Sequence, residues 1–382
     1  MSLQSLIRKN VPTVALHSIK SMVAGGYKSG KTRLWKEVTE LHYKNPAEET
    51  VLLAFEAGYE TWELESIIPI HEQGNDVEQW EFFRNVVVKE LVKAAANGDK
   101  KIKLIGWDTV DRAIDAATAW ILHRESRRHG KQFTSLQDIS EQTNDNGWIL
   151  LYEELKKQVD ALDNAGYGQM FLAWTKEKET TLYNGLKYNS LDLMMNSKAR
   201  QVFESQSSFI CTLFNEVKIM DKEGNILEEN IKDKKGRERA TNFHQTKVVM
   251  LFRPNEYVSV AGGRYVNLPE EPVDYSAEAF LKTFEEAVKG QLKKTKTDIE
   301  QLQIQEEQKR LEKGKEYAEK VQNEVSTDDL IRQIDEKLKE IPSNVDRKVI
   351  AEKFKEILGD VNYKKATDVG ALREVVEYLN SL

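Results

Sequence analysis

Residues 51–55, Val51-Leu52-Leu53-Ala54-Phe55, are apolar without a break, whereas residues 77–97 return apolar side chains at helical spacing and close on Asn97-Gly98. The first pattern predicts a strand buried on both faces, as parallel strands are; the second predicts a helix with a C-terminal stop. The same two patterns alternate along the first half of the chain. Strands are predicted over 19–23, 51–55, 101–109 and 169–175, and helices over 32–41, 77–97, 110–124 and 148–164. Such alternation predicts a doubly wound α/β core, a mostly parallel sheet with helices on both faces. Two long polar segments, 123–147 and 176–203, interrupt it and read as loops of a length that is usually functional.

Further on the pattern changes. Residues 208–218 and 246–252 read as strands flanking charged, turn-forming stretches at 221–225 and 232–239, which predicts a β-ribbon extension over about 215–250. Residues 257–268 predict another strand, broken at Gly262-Gly263, and Pro269 and Pro272 mark the end of the compact core, residues 1–275. Lys, Glu and Gln dominate 276–325 and the apolar positions keep no heptad, so a solvated helical connector is expected. Residues 326–382 open on a capping-type Ser326-Thr327-Asp328-Asp329 and place Leu330, Ile334 and Leu338 at helical spacing, predicting a small all-α C-terminal appendage.

Composition removes several classes. No stretch reaches the roughly 18–20 uninterrupted apolar residues of a membrane span, and residues 1–8 have no apolar signal core, so no membrane partner and a cytoplasmic location are expected. The single Cys211 allows no intrachain disulfide, and the six histidines form no metal-ligand spacing. A net charge of −7 argues against a uniformly basic nucleic-acid binder while leaving room for a local basic surface.

The candidate chemistry stands at strand ends. Gly25-Gly26-Tyr27-Lys28-Ser29-Gly30-Lys31-Thr32 follows the first strand and opens the first helix, the context in which G-x-x-x-x-G-K-[ST] cradles nucleotide phosphates. The glycines let backbone N–H groups converge on phosphate oxygens, Lys31 reaches the β- and γ-phosphates of ATP, and Thr32 reaches Mg²⁺. Asp108, ending an apolar strand, reads as the second Mg²⁺ acid or as a helix cap. Glu56, ending the strand after the phosphate-loop helix, reads as the carboxylate that polarises water or as an exposed turn residue. Thr175 reads as a γ-phosphate sensor or an ordinary strand terminus. Together these residues lie where open α/β sheets bind ligands.

These motifs resemble the RecA-like P-loop ATPases, and within them an AAA-type, phage-encoded nucleotide-binding family that accompanies single-strand annealing and recombination genes. The likeness runs over about residues 15–290 through Gly25 to Thr32, Phe55-Glu56-Ala57-Gly58, Ile105-Gly106-Trp107-Asp108-Thr109, Phe171-Leu172-Ala173-Trp174-Thr175-Lys176 and Gly263-Arg264-Tyr265-Val266-Asn267-Leu268-Pro269. It implies that Glu56 is the catalytic carboxylate and that Asp108 assists Mg²⁺. It also implies a homo-oligomeric ring or filament in which Arg264, beside Gly262-Gly263, acts as an arginine finger, where the residue by itself reads equally as a plain surface arginine, and a host-cytoplasm location. Two features depart from the family: Gly106-Trp107 makes the metal-acid strand less apolar, and Trp174 stands where many relatives have a histidine.

Arg124, Arg127, Arg128 and Lys131 form a local basic cluster with His123, which reads as a contact for single-stranded DNA or as a solvated helix end. Lys176, Lys178, Lys187, Lys198 and Arg200 add charge in the second polar segment, and Phe133, Tyr183 and Tyr188 read as stacking faces or as local packing. Three functions stay open: an ATPase acting on single-stranded DNA in phage recombination or replication, a nucleotide-controlled interaction protein whose tail recruits recombination or replication proteins, and a helicase-like motor.

Overall fold

The computed structural model describes residues 13–97, 101–221, 244–292, 296–323, 327–341 and 347–380, together with Ile7 and short pieces between 223 and 239. A ten-stranded sheet organises the core. Its strands are β1 (Lys20–Gly25), β2 (Thr50–Ala54), β3 (Ile67–Pro69), β4 (Leu104–Asp108), β5 (Gly168–Thr181), β6 (Lys187–Leu193), β7 (Phe209–Ile219), β10 (His244–Leu251), β11 (Gly262–Gly263) and β12 (Val273–Asp274); β8 (Ile231–Lys232) and β9 (Glu238–Arg239) form a separate two-stranded pair. The order is β12-β10-β7-β1-β5-β4-β2-β3, with β6 beside β5 and β11 beside β7. β7, β1, β5, β4, β2 and β3 run parallel, and the remaining strands join antiparallel.

The unbroken apolar runs have a direct cause. Successive strand side chains point to opposite faces, and each face has its own core. Val51, Leu53, Ile105, Trp107 and Phe171 pack on one side with the helices Asp76–Phe82, Val88–Asn97, Val110–His129 and Gly147–Asn164. Leu52, Leu104, Met170 and Leu172 pack on the other with the helices Lys31–His42 and Ala277–Leu292. Gly106, the apparent weakness of β4, is a packing requirement: a Cβ there would stand 2.8 Å from Leu52 Cδ1 and 2.9 Å from the Trp35 ring.

The long polar segments are not structureless. The first continues the helix Val110–His129 beyond the expected end at 124, and then forms a second helix, Leu136–Gln142, started by a capping box between Ser135 and Asp138. The second is an antiparallel hairpin, β5–β6, paired from Thr175↔Leu193 to Thr181↔Lys187 and turned at Asn184-Gly185, where Gly185 has φ +83°. The expected helix over 77–97 is interrupted by a π turn, Phe83–Val87. β7 and β10 form the expected ribbon over eight residue pairs, while parts of the charged stretches at 221–225 and 232–239 lie outside the described residues. Only Gly262–Gly263 of the strand expected over 257–268 is a strand.

The core also runs past residue 275. Phe280 and Phe284 of the helix Ala277–Leu292 meet Phe209 at ring separations of 5.3 and 5.4 Å. The helix Lys296–Asn323 is a strap rather than a solvated connector. Arg310 donates to the Lys103 carbonyl at 3.2 Å and to that of Gly166, Glu307 pairs with His17 at 3.2 Å, and Ala318 is fully buried. Few Gly or Pro and abundant charge describe a helix well, but they do not reveal that one face of it lies on protein. The helices Thr327–Glu340, Arg347–Leu358 and Val369–Asn380 enclose a separate small core around Ile334, Phe354 and Leu372. No helix among the described residues is long and apolar enough to cross a membrane.

Candidate active site

β1 is central in the sheet and delivers Gly25 to a turn that closes at the start of the helix Lys31–His42. That turn needs its glycines. A Cβ on Gly25 would lie 2.5 Å from Ser29 Oγ, and Gly30 has φ +95° with its Cβ position 3.1 Å from Tyr275 Oη. Lys28 also adopts a left-handed conformation, φ 58°. The Tyr275 hydroxyl donates to the Gly30 carbonyl at 3.0 Å and so fastens the loop to the chain following β12. Lys31 is 6% exposed and donates to the carbonyls of Gly25 and Gly26 at 3.0 and 2.9 Å. Burial lowers its pKa, against the attraction of Asp108, Glu56 and Asp111.

β2 and β4 bring the acids to the same end. The Thr32 hydroxyl donates to Asp108 Oδ2 at 2.7 Å, and the Glu56 N–H donates to the Asp108 carbonyl at 3.2 Å. Asp108 is fully buried, and its Oδ1 has no hydrogen-bond partner among the described residues. A Cβ built on Gly58 would stand 3.5 Å from Thr32 Oγ1, 3.7 Å from Glu56 Oε1 and 3.9 Å from Asp108 Oδ2, so three oxygens surround one small space. Desolvation raises Glu56 to about 7, helped by the Asp108 charge and opposed by Lys31 and Arg112. Burial likewise raises Asp108 to about 6, against the Thr32 hydrogen bond and Lys31. Concentrated carboxylates that resist ionisation are a fit for a hard divalent cation, which takes oxygen ligands and offsets their charge. The glycine cradle and the buried Ser29 hydroxyl, which has no hydrogen-bond partner among the described residues, fit phosphate oxygens.

Thr175 lies one residue beyond the Gly25↔Trp174 register pair, level with the phosphate loop, and its buried hydroxyl has no partner among the described residues. Arg264 is elsewhere. It follows β11, which pairs with the beginning of β7, and its N–H donates to the Ser208 carbonyl at 2.9 Å. This is the N-terminal end of the parallel strands, opposite the phosphate loop of the same chain.

The basic cluster occupies a helix end and not an open loop. Arg124 and Arg128 hold the fully buried Glu125 at 2.7 and 3.3 Å, Arg128 also meets Asp145 at 3.3 Å, and Lys131 donates to the Gln142 carbonyl at 3.0 Å. Arg127 is exposed and faces a cleft of about 770 Å³ between these helices and the tail, whose Asn362 donates to the Arg128 carbonyl at 3.3 Å. Phe133 is buried and offers no stacking face, whereas Tyr183 is fully exposed at the hairpin tip and Tyr188 is exposed beside it. In the hairpin Lys178 pairs with Asp192 and Lys187 with Glu179, and Arg200 also meets Asp192.

Sequence reasoning missed Asp111, which is 7% exposed and accepts the Trp174 N–H on Oδ2 at 2.6 Å. Burial raises it to about 6, opposed by that hydrogen bond and by Lys31. Its only signal was an acid in the first turn of the helix after β4, a position that ordinary helix-dipole complementarity explains equally well. Tyr275 had no signal at all, because its partner lies 245 residues away.

No curated protein matches the chain. A family model described as an AAA domain matches residues 17–256, a span from just before β1 to just past β10 that contains the phosphate loop, Glu56, Asp108 and the β5–β6 hairpin. The phosphate loop on a parallel sheet, its acids at the strand ends and this match lead to one assignment: the chain belongs to the AAA domain family of P-loop NTPases.

Proposed function

We propose that the protein hydrolyses ATP with Mg²⁺ and uses the nucleotide to act on single-stranded DNA in phage recombination or replication. The observation that supports hydrolysis best is the convergence of Thr32, Glu56 and Asp108 oxygens around the face of Gly58. Backbone N–H groups of residues 25–32 bind the phosphates, and Lys31 leaves its loop carbonyls to meet the β- and γ-phosphate oxygens. Thr32 and Asp108 would hold Mg²⁺, which when bound would neutralise charge on the phosphates. Glu56 takes a proton from the attacking water, a task suited to a carboxylate raised to about 7. Thr175 donates to the γ-phosphate from its position beside the loop.

Support for the DNA reading comes from the hairpin. It leaves the sheet directly beside the phosphate loop and carries Tyr183 and Tyr188 with Lys176, aromatic faces and a cation that suit single-stranded bases and phosphates. Assembly into a ring or filament would bring Arg264 of one copy towards the phosphates of the next. A second reading, a nucleotide-controlled interaction protein, is favoured by the separate core of the tail, which suits a module that recruits recombination or replication proteins. The deciding experiment measures phosphate release with Mg²⁺, with and without single-stranded DNA. Turnover stimulated by DNA is expected; absence of turnover sinks the ATPase, and turnover indifferent to DNA favours the interaction protein.

A further inference from the structure

Trp174 is where three parts of the molecule meet. Its N–H donates to Asp111 at 2.6 Å, its indole lies against the phosphate-loop residue Tyr27 with 4.7 Å between ring centroids, and its carbonyl accepts the Met194 N–H at 2.9 Å. Met194 follows β6 directly, and the Tyr27 hydroxyl donates to its sulfur at 3.6 Å. Both strands of the hairpin are therefore tied at their root to the phosphate loop and to the helix that follows Asp108. From Trp174 the strand β5 runs on to Thr181, roughly 23 Å of extended chain, and the tip beyond it exposes Leu182, Tyr183 and Leu186.

We infer that Asp111 is a positioning residue that transmits the state of the phosphate site to the β5–β6 hairpin by holding the Trp174 N–H. The inference rests on the nucleotide reading above and adds the route by which nucleotide reaches the hairpin. Asp111 suits the part because one oxygen is committed to Trp174 while the other is buried with no hydrogen-bond partner among the described residues. Its charge also couples to Lys31 and Glu56. Here the Lys31 ammonium sits on the Gly25 and Gly26 carbonyls and attracts Asp111. A triphosphate that draws Lys31 onto its own oxygens weakens that attraction and places negative charge nearby. Nucleotide would therefore change the free energy of keeping the Asp111–Trp174 contact relative to releasing it, which is what any ligand-driven shift requires.

The test uses the full-length chain with Tyr183→Cys carrying an environment-sensitive dye; Cys211 is fully buried with its thiol pKa pushed up, so labelling is selective. Binding of a fluorescent ATP analogue is measured separately. The dye is expected to respond to saturating Mg²⁺-ATPγS, with most of the response lost in Asp111→Ala and also in Asp111→Asn, which keeps an acceptor for Trp174 but lacks the charge on which Lys31 and the nucleotide act. Tyr27→Leu, which removes the ring packed on Trp174, should weaken the response as well, and Asp111→Asn decides the matter if Asp111→Ala does not fold. If the protein binds the analogue but the dye is silent, or responds in the folded Asp111 variants as in wild type, the inference is overturned. Failure to bind the analogue at all overturns the ATPase reading itself.

Discussion

Thr32 Oγ1 and Asp108 Oδ2 are joined by a 2.7 Å hydrogen bond across 76 positions of sequence, linking the first turn of the phosphate-loop helix to the end of β4. This bond fixes the distance between the two oxygen donors proposed for Mg²⁺, and it orients Asp108 so that its second oxygen has no hydrogen-bond partner among the described residues. The site is thus held by packing before any ligand enters, the condition for electrostatic stabilisation without reorganisation.

Hydrolysis should depend on Lys31 and Glu56 in different ways. Lys31→Ala removes the cation proposed to meet the transferring phosphate and should lower kcat by about a hundredfold or more. Glu56→Gln should keep nucleotide affinity and slow turnover by about 10²–10⁴-fold, since it removes a proton acceptor and little volume. Wild-type kcat/KM should rise with pH and level off above about 7, as Glu56 ionises in the free protein. Steady-state profiles of both variants check this; a rising limb that survives in Glu56→Gln would assign it to another group.

Stability should run the other way with pH. Glu56, Asp108 and Asp111 are all raised, to about 7, 6 and 6, so the folded chain holds more protons than the unfolded chain above the ordinary carboxylate range. Their contribution is fullest below about pH 4 and declines as pH rises through 6 to 7. Asp108→Asn should therefore raise the Tm by a few degrees at pH 8 and by less at pH 5. Thermal melts at both values check the sign, and Mg²⁺-ATP should stabilise wild type more than the variant.

Gly30→Ala places a side chain at φ +95° with its Cβ 3.1 Å from Tyr275 Oη. The cost should be about 1–2 kcal/mol, together with loss of nucleotide binding as the cradle opens. Gly26→Ala is the control for steric cost, because a Cβ there meets no atom within 4 Å. Denaturation midpoints and analogue binding for the pair separate backbone strain from simple bulk.

The arginines at the end of the helix Val110–His129 should divide into two groups. Replacing Arg124 and Arg128 together by Ala strips two cations from the buried Glu125 and should destabilise the fold by on the order of 2–4 kcal/mol. Arg127→Ala, at an exposed position, should change stability by less than about 0.5 kcal/mol and, if the cleft faces nucleic acid, flatten the salt dependence of DNA binding by about one unit. Urea unfolding and salt titrations of anisotropy measure the two effects independently.

The sequence alone determined the elements whose information is local. The phosphate loop is written in eight consecutive residues, the doubly wound core in the alternation of apolar runs with helical spacing, and the strand-end positions of Glu56 and Asp108 in the runs that precede them. Even the Asn184-Gly185 turn was present as a hairpin signal, hidden by reading charged residues 176–179 as loop although a strand with both faces in water can carry them. What only the tertiary structure decided are matters of distance between residues remote in the chain. Arg124 and Arg128 look like a free polyanion site until Glu125 is seen to be buried between them and Asp145 to approach from the next segment. Asp111 looks like a helix-dipole acid until Trp174 is found against it, and residues 296–323 look like a solvated helix until Arg310 meets carbonyls on two other segments. Periodicity and propensity depend on covalent neighbours a few residues apart, whereas charge pairing, desolvation and hydrogen-bond satisfaction depend on separation in space, which comes into being only when the sheet and its two helical layers pack together.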